Sequence, residues 1–243
     1  IIANMLGADT SGKTATKFID VDSRTPQVGA IAAVTEQGYM GGYTDGSFRP
    51  AEPMLYVDAI KVLLSVLGYQ PDAELSGGYP MGYLITGSTI RLTSGVSGNA
   101  EDVLTSGQLV QMIYNTFDID LRYQKEFGAQ QTYVTEKGKT FWSERRNIYQ
   151  YKGTVSANAY THLASGNGLD KGWVMIDNLF CSAGESGIEN YLGYQVRAYI
   201  HQELEDDEGT VLAFEYQRLN TVVEIQSDDI MDATTLRSVE YSQ

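Results

Sequence analysis

Apolar positions recur with a helical period in the first half of the chain and alternate in the second. In Met54 to Leu67 (MLYVDAIKVLLSVL), Val57, Ile60, Leu64 and Leu67 fall at i, i+3, i+7 and i+10, with Leu63 beside them. This is the stripe of a buried helix, and Gly68 ends it. An earlier helix is expected from Pro26 to Gly38, carrying Val28, Ile31, Ala32 and Val34. Pro80 opens another. Thr105-Ser106-Gly107-Gln108 has the form of a capping box ahead of the stripe Leu109, Met112, Ile113 and Phe117. Ile1 to Gly7 reads as the last turns of a helix that Gly7 caps. A helix begun before residue 1 makes the chain read as a piece of a longer protein, with any export signal outside it.

The helical half repeats itself. At an offset of fifty, Met54–Leu67 aligns with Leu104–Phe117: Asp58 falls on Gln108, Leu63 on Ile113 and Leu67 on Phe117. At an offset of fifty-three, Val28–Tyr43 aligns with Met81–Val96, and Gly42 falls on Gly95. Ile1–Gly7 matches Val62–Gly68. The expected units are the tail of one repeat (1–10) and two complete repeats (18–69 and 77–121), each a helix, a glycine-rich turn and a helix. One such unit cannot bury its own stripe, so the units must pack on one another.

After Leu121 the period is lost. Residues 122–148 read as a polar linker or irregular strand with a short helix at Thr140–Ile148. Residues 149–243 are rich in Tyr, Val, Thr and Gly, and predict short strands at 149–157, 172–179, 195–202, 211–217 and 221–225. In the hairpin, Val196, Ala198 and Ile200 are expected to face one side, opposed by Val211, Ala213 and Glu215. The fold class is therefore α+β: helical repeats followed by a small all-β barrel or sandwich.

Composition narrows the function. With 42% hydrophobic and 20% charged residues the chain is globular. No apolar run approaches the ~20 residues of a membrane span. A net charge of −14 argues against nucleic acid, whose phosphates call for Lys and Arg. A single cysteine, Cys181, leaves no internal disulfide.

Phe18-Ile19-Asp20-Val21 and Gly42-Tyr43-Thr44-Asp45-Gly46-Ser47-Phe48-Arg49-Pro50 resemble the S-layer homology repeat, in its order. That repeat runs from Phe-x-Asp-Val through a helix and Gly-Tyr-x-Asp-Gly-x-Phe-x-Pro to a Thr-Arg-Ala-Glu signature opening a second helix. The second unit, with Gly78 to Tyr83 and Met112 to Asn115, looks like a variant, so the likeness covers residues 1–121. It implies a pseudo-threefold helical spindle, here with its first repeat truncated, in an extracellular protein of the Gram-positive wall or surface layer. The implied partners are the secondary cell-wall polysaccharide and further copies in a surface layer. In many members the signature arginine contacts the anionic sugar. Here Tyr56 and Ser106 stand in its place, and neither forms a bidentate charge-assisted pair. Lys152 to Val155, Leu192 to Val196 and Asn220 to Ile225 look like phrases that follow the repeats in clostridial members.

Tyr43, Asp45, Phe48 and Arg49 are the candidate binding residues for wall polymer; turn chemistry around a buried phenylalanine is the competing explanation. Asp20, Asp22 and Asp45 faintly resemble calcium ligands but lack the regular spacing and closing glutamate, so no metal site is expected. The run Glu203, Glu205, Asp206, Asp207 and Glu208 reads as a solvated hairpin tip. His162, His201 and Cys181 belong to no catalytic motif, and no cofactor is implied. The expected function is non-catalytic, anchoring or packing at the cell surface. A carbohydrate- or protein-binding β module is the alternative, favoured if Tyr149, Tyr151, Tyr160, Trp173, Tyr191 and Tyr194 form an exposed platform. A wall-polysaccharide hydrolase ranks below both.

Overall fold

The computed structural model describes residues 1–126, 132–203, 208–217 and 220. The protein is mixed α+β and divides into two compact units, residues 1–149 and 150–243.

In the first unit, α1 (Ile2–Leu6), α2 (Val28–Glu36), α3 (Tyr56–Leu67), α4 (Gln70–Leu75), α5 (Met81–Thr89) and α6 (Ser106–Asn115) surround one core. Its centre is α3, where Val57, Ile60, Leu63, Leu64 and Leu67 are all at most 1% exposed. The rest of this helix is buried too, except for Asp58, Lys61 and Ser65, which form a narrow polar stripe. Gly87 lets α5 approach α3 closely: a β-carbon there would sit 2.9 Å from Ile60 Cγ2.

The two longest helices, α3 and α6, solve their N-terminal problem differently, since the first amides of a helix have no partner within it. Thr105 and Gln108 form the expected capping box on α6. No side chain caps α3; instead Tyr56 N donates to Asp102 O (2.8 Å) and Val57 N to Ala100 O (3.3 Å). An antiparallel bridge pairs Leu55 with Val103, and Leu104 N donates to Met54 O at 2.8 Å. The chain thus pairs with itself at the entries to α3 and α6.

Residues 122–148, read as a linker, instead add to the first unit a hairpin of β1 (Asp120–Glu126) and β2 (Thr132–Thr140), then α7 (Phe141–Arg146). Polar residues on both strands hid the alternation. The hairpin is tied to α4 by the Arg122–Asp72 ion pair at 2.7 Å, and Tyr69 Oη donates to Asp120 O at 3.0 Å. On α7, Trp142 stacks on Phe117 with ring centres 4.2 Å apart, and its Nε1 donates to Thr116 Oγ1 at 2.8 Å.

The second unit holds β3 (Ile148–Ala157), β4 (Trp173–Ile176), β5 (Leu179–Ser182), β6 (Gln195–His201) and β7 (Thr210–Tyr216). Their order is β3-β4-β5-β7-β6, and the sheet closes on itself. Val155, Val174, Ile176, Cys181, Ala183, Ile188, Val196, Ala198, Ile200 and Val211 fill its interior. The strand expected at 172–179 is really two, because the chain reverses at Asp177-Asn178 and pairs Ile176 with Leu179. The expected β7 face is also corrected. Ile200 pairs with Val211 but Tyr199 with Ala213, so Leu212 is an extra residue on β7. Beyond that bulge the alternation is inverted: Phe214 packs on the interior, while Ala213 and Glu215 are exposed. The strand expected at 221–225 lies outside the described residues.

Candidate functional site

The four candidate binding residues lie on one turn, and Asp20 holds that turn in place. Its carboxylate accepts Phe48 N at 2.8 Å and Arg49 N at 2.7 Å. Phe48 packs on Phe18 with ring centres 5.2 Å apart. Gly42 is required beneath them, since a β-carbon there would overlap the Phe18 ring and Ser47 O. The Phe-x-Asp-Val segment and the glycine turn are therefore a single built structure.

Asp45 organises the outer edge. Its Oδ1 accepts from Ser47 N (2.9 Å) and Ser47 Oγ (2.6 Å), and its Oδ2 from Arg49 Nη2 (2.9 Å). The Ser47 hydroxyl and amide, with the Arg49 guanidinium, hold the Asp45 carboxyl far below the usual carboxylate range. Arg49 Nε donates to Ser47 Oγ at 3.1 Å, and the guanidinium lies 4.0 Å from the centre of the Tyr43 ring. Arg49 adopts a left-handed backbone (φ 60), which points its side chain along the turn's outer edge. The candidate set is thus brought together, with Phe48 as its apolar base and Tyr43 and Arg49 as its exposed edge.

This edge borders a cleft of about 490 Å³ whose other wall is α3 and Tyr79. The polar stripe of α3 enters here through Asp58 and Lys61. Tyr79 Oη donates to Asp58 Oδ1 at 3.1 Å. Lys61 Nζ stands 5.4 Å from the Tyr79 ring centre and 6.0 Å from that of Tyr83. Sequence reasoning missed Asp58, Lys61 and Tyr79. The available signal was the break that Asp58 and Lys61 make in an otherwise apolar helix. Tyr56, at the position where the family signature carries arginine, is 3% exposed, and Gly98 packs against its ring. It belongs to the core.

Residue by residue, the other sequence candidates have local partners. Asp22 pairs with Arg24 at 2.7 Å. His162 Nδ1 accepts the Ala164 amide at 3.0 Å. Cys181 is wholly buried in the second unit, and burial pushes its thiol up to about 11. Glu205, Asp206 and Asp207 lie outside the described residues. The aromatic residues of the second unit do not form one platform. Tyr151, Tyr191 and Tyr194 pack against the interior, Trp173 stacks on Phe180 at 4.7 Å, and Tyr160 stands 86% exposed. Among the described residues no group of three or more His, Cys, Asp or Glu is placed to hold a metal ion, and no helix is long and apolar enough to cross a membrane.

Comparison with known proteins bears on the same stretch. The family model "S-layer homology domain" matches residues 17–59, which contain Asp20, the glycine turn and the start of α3. Over 112 residues, 46% of this chain, it is 25% identical to a "Middle cell wall protein" of Brevibacillus brevis. Over 132 residues, 53% of the chain, it is 24% identical to a "Surface layer protein" of Brevibacillus choshinensis. These matches cover 10% and 12% of the two relatives, so the chain spans about a tenth of their length. Both relatives are named for the cell wall or the surface layer.

Proposed function

We propose that this chain is a non-catalytic anchoring module that holds wall polysaccharide in the cleft between the Tyr43–Arg49 turn and α3. One observation carries the reading: the Arg49 guanidinium lies 4.0 Å from the centre of the Tyr43 ring at the mouth of that cleft. An aromatic face beside a guanidinium suits a sugar that presents C–H groups on one side and hydroxyl or anionic oxygens on the other. We further read residues 1–10, 18–69 and 77–121 as one truncated and two complete repeats of a three-part spindle. The packing of Ile2, Ala3 and Met5 into the common core supports this, as does the hydrogen bond from Leu104 N to Met54 O, which joins equivalent positions of the two repeats.

The test is co-sedimentation with Gram-positive wall sacculi before and after acid extraction of the secondary polysaccharide. Retention that disappears with the polymer is the expected result. Retention on neither preparation would overturn anchoring and leave structural packing within a surface layer as the role of the repeats.

A further inference from the structure

We propose that Asn167-Gly168, on the connection between β3 and β4, is a self-modification site in the second unit. The asparagine side chain there is lost as ammonia, leaving aspartate and isoaspartate. The inference is independent of the cleft in the first unit. Asn-Gly occurs once in the chain. The amide nitrogen of a glycine reaches the preceding side chain most readily, because no β-carbon of its own stands in the way.

The fold leaves this pair free. The connection is fastened on either side of it: Gly166 N donates to His162 O at 2.8 Å, and Leu169 N to Asn158 O at 2.8 Å. Between these anchors Asn167 and Gly168 are both exposed. Among the described residues neither the Asn167 side chain nor the Gly168 amide has a hydrogen-bond partner. Two other positions show what restraint looks like. Asn158, on the same connection, is 6% exposed. Its Oδ1 accepts from Tyr160 N (2.9 Å) and Thr161 N (3.1 Å), and its Nδ2 donates to Glu189 O at 2.8 Å. At Asp45-Gly46, Gly46 N donates to Tyr43 O at 3.0 Å, while Ser47 and Arg49 hold the carboxylate. Gly168 also has a packing reason to be glycine, since a β-carbon there would sit 2.4 Å from Ala159 O. The reactive pair therefore comes with the path of the loop.

The Gly168 nitrogen gives up its proton and attacks Asn167 Cγ. That bond forms as the bond from Cγ to Nδ2 breaks, and Nδ2 takes up the proton and leaves as ammonia. The product is a five-membered succinimide, which water opens in either of two ways. Cleavage between Cγ and the Gly168 nitrogen restores the ordinary backbone and leaves aspartate. Cleavage at the Asn167 main-chain carbonyl routes the backbone through Cβ and Cγ as isoaspartate. Both products add a negative charge. Isoaspartate also lengthens the backbone between the two anchors, next to the close approach of Gly168 to Ala159 O.

The experiment incubates the native chain at neutral and at mildly alkaline pH beside a synthetic peptide of residues 153–171, which is also a tryptic fragment of the chain. Brief tryptic digestion and mass spectrometry then follow that fragment, with an unincubated sample as zero. The expected result is a gain of one mass unit at Asn167, as two chromatographically separate products, at a rate close to that of the free peptide. The rate should rise with pH, because the Gly168 amide must lose its proton. Asn158 should stay intact in the native chain, and Asn167→Gln, which would need a larger ring, should leave the fragment unchanged. An Asn167 that persists in the native chain while the peptide is modified would overturn the inference, as would modification of Asn158 ahead of Asn167.

Discussion

Asp20 and Arg49 are joined at 2.7 Å, backbone amide to carboxylate, across twenty-nine positions of sequence. With the Phe48 amide on its other oxygen, Asp20 closes the turn that presents Tyr43 and Arg49. Asp20→Ala removes both acceptors. It is expected to weaken sacculus retention and lower the melting temperature of the first unit, with Asp20→Asn intermediate because one amide keeps a carbonyl partner. Calorimetry beside co-sedimentation checks this; unchanged retention and melting would mean the turn is held by Phe48 packing alone.

Acid should act on the same turn. The Phe48 amide, then the Arg49 amide, lower the Asp20 carboxyl, and the Ser47 and Arg49 contacts lower that of Asp45. A carboxylate lowered in the folded state contributes stability that is present above its unfolded pKa of about 4 and lost as pH falls through the folded value. Stability of the first unit should therefore be level near neutrality and fall only in strong acid. In Asp20→Asn and Asp45→Asn that acid-dependent loss should shrink. A pH series of thermal melts measures it.

The centre of α3 sets the stability of the first unit. Leu63 is fully buried among other apolar side chains, so Leu63→Ala should cost about 2–5 kcal/mol through lost burial and the cavity left behind. Urea denaturation followed by circular dichroism gives the figure. A value below about 1 kcal/mol would show that the core collapses around the gap.

Trp142 provides an optical report of the first unit. Thr116→Val leaves its buried Nε1 without an acceptor, a loss of about 1–3 kcal/mol, while the Phe117 stack stays in place. The expected outcome is a lower urea midpoint with little change in native fluorescence.

In the second unit, Cys181 is shielded by the barrel interior and its thiol is pushed up to about 11. Ellman's reagent should react slowly with the native protein and at once in denaturant, since the thiolate is the reactive form. Fast native reaction would mean that the β4–β5 hairpin opens readily.

The legible parts of the fold were those whose cause lies in neighbouring residues. The stripe of α3, the capping box of Thr105 and Gln108, and the left-handed Gly7 and Gly68 are local, and each stands where its pattern put it. The β1–β2 hairpin was not legible, because what seats it is remote: Asp72 for Arg122 and Tyr69 for Asp120. The face of β7 was misread for want of one residue, since nothing in Thr210–Tyr216 marks Leu212 as extra until β6 is laid beside it. At the candidate site, the turn was readable from its residue types. The opposite wall was not, because Lys61 and Tyr79 become neighbours only when α3 is packed.

One contact governs how the first unit would carry load. Gly7 closes α1 in a left-handed conformation, and a β-carbon there would overlap the guanidinium of Arg146 on α7. The end of the first helix of the unit therefore rests against a side chain of the last. Tension entering near residue 1 and leaving past residue 149 would fall first on this contact and on the short helix α1. Ile2, Ala3 and Met5 on α1 share one core with α3, so a module stretched until this contact parted would also loosen the core that backs its cleft.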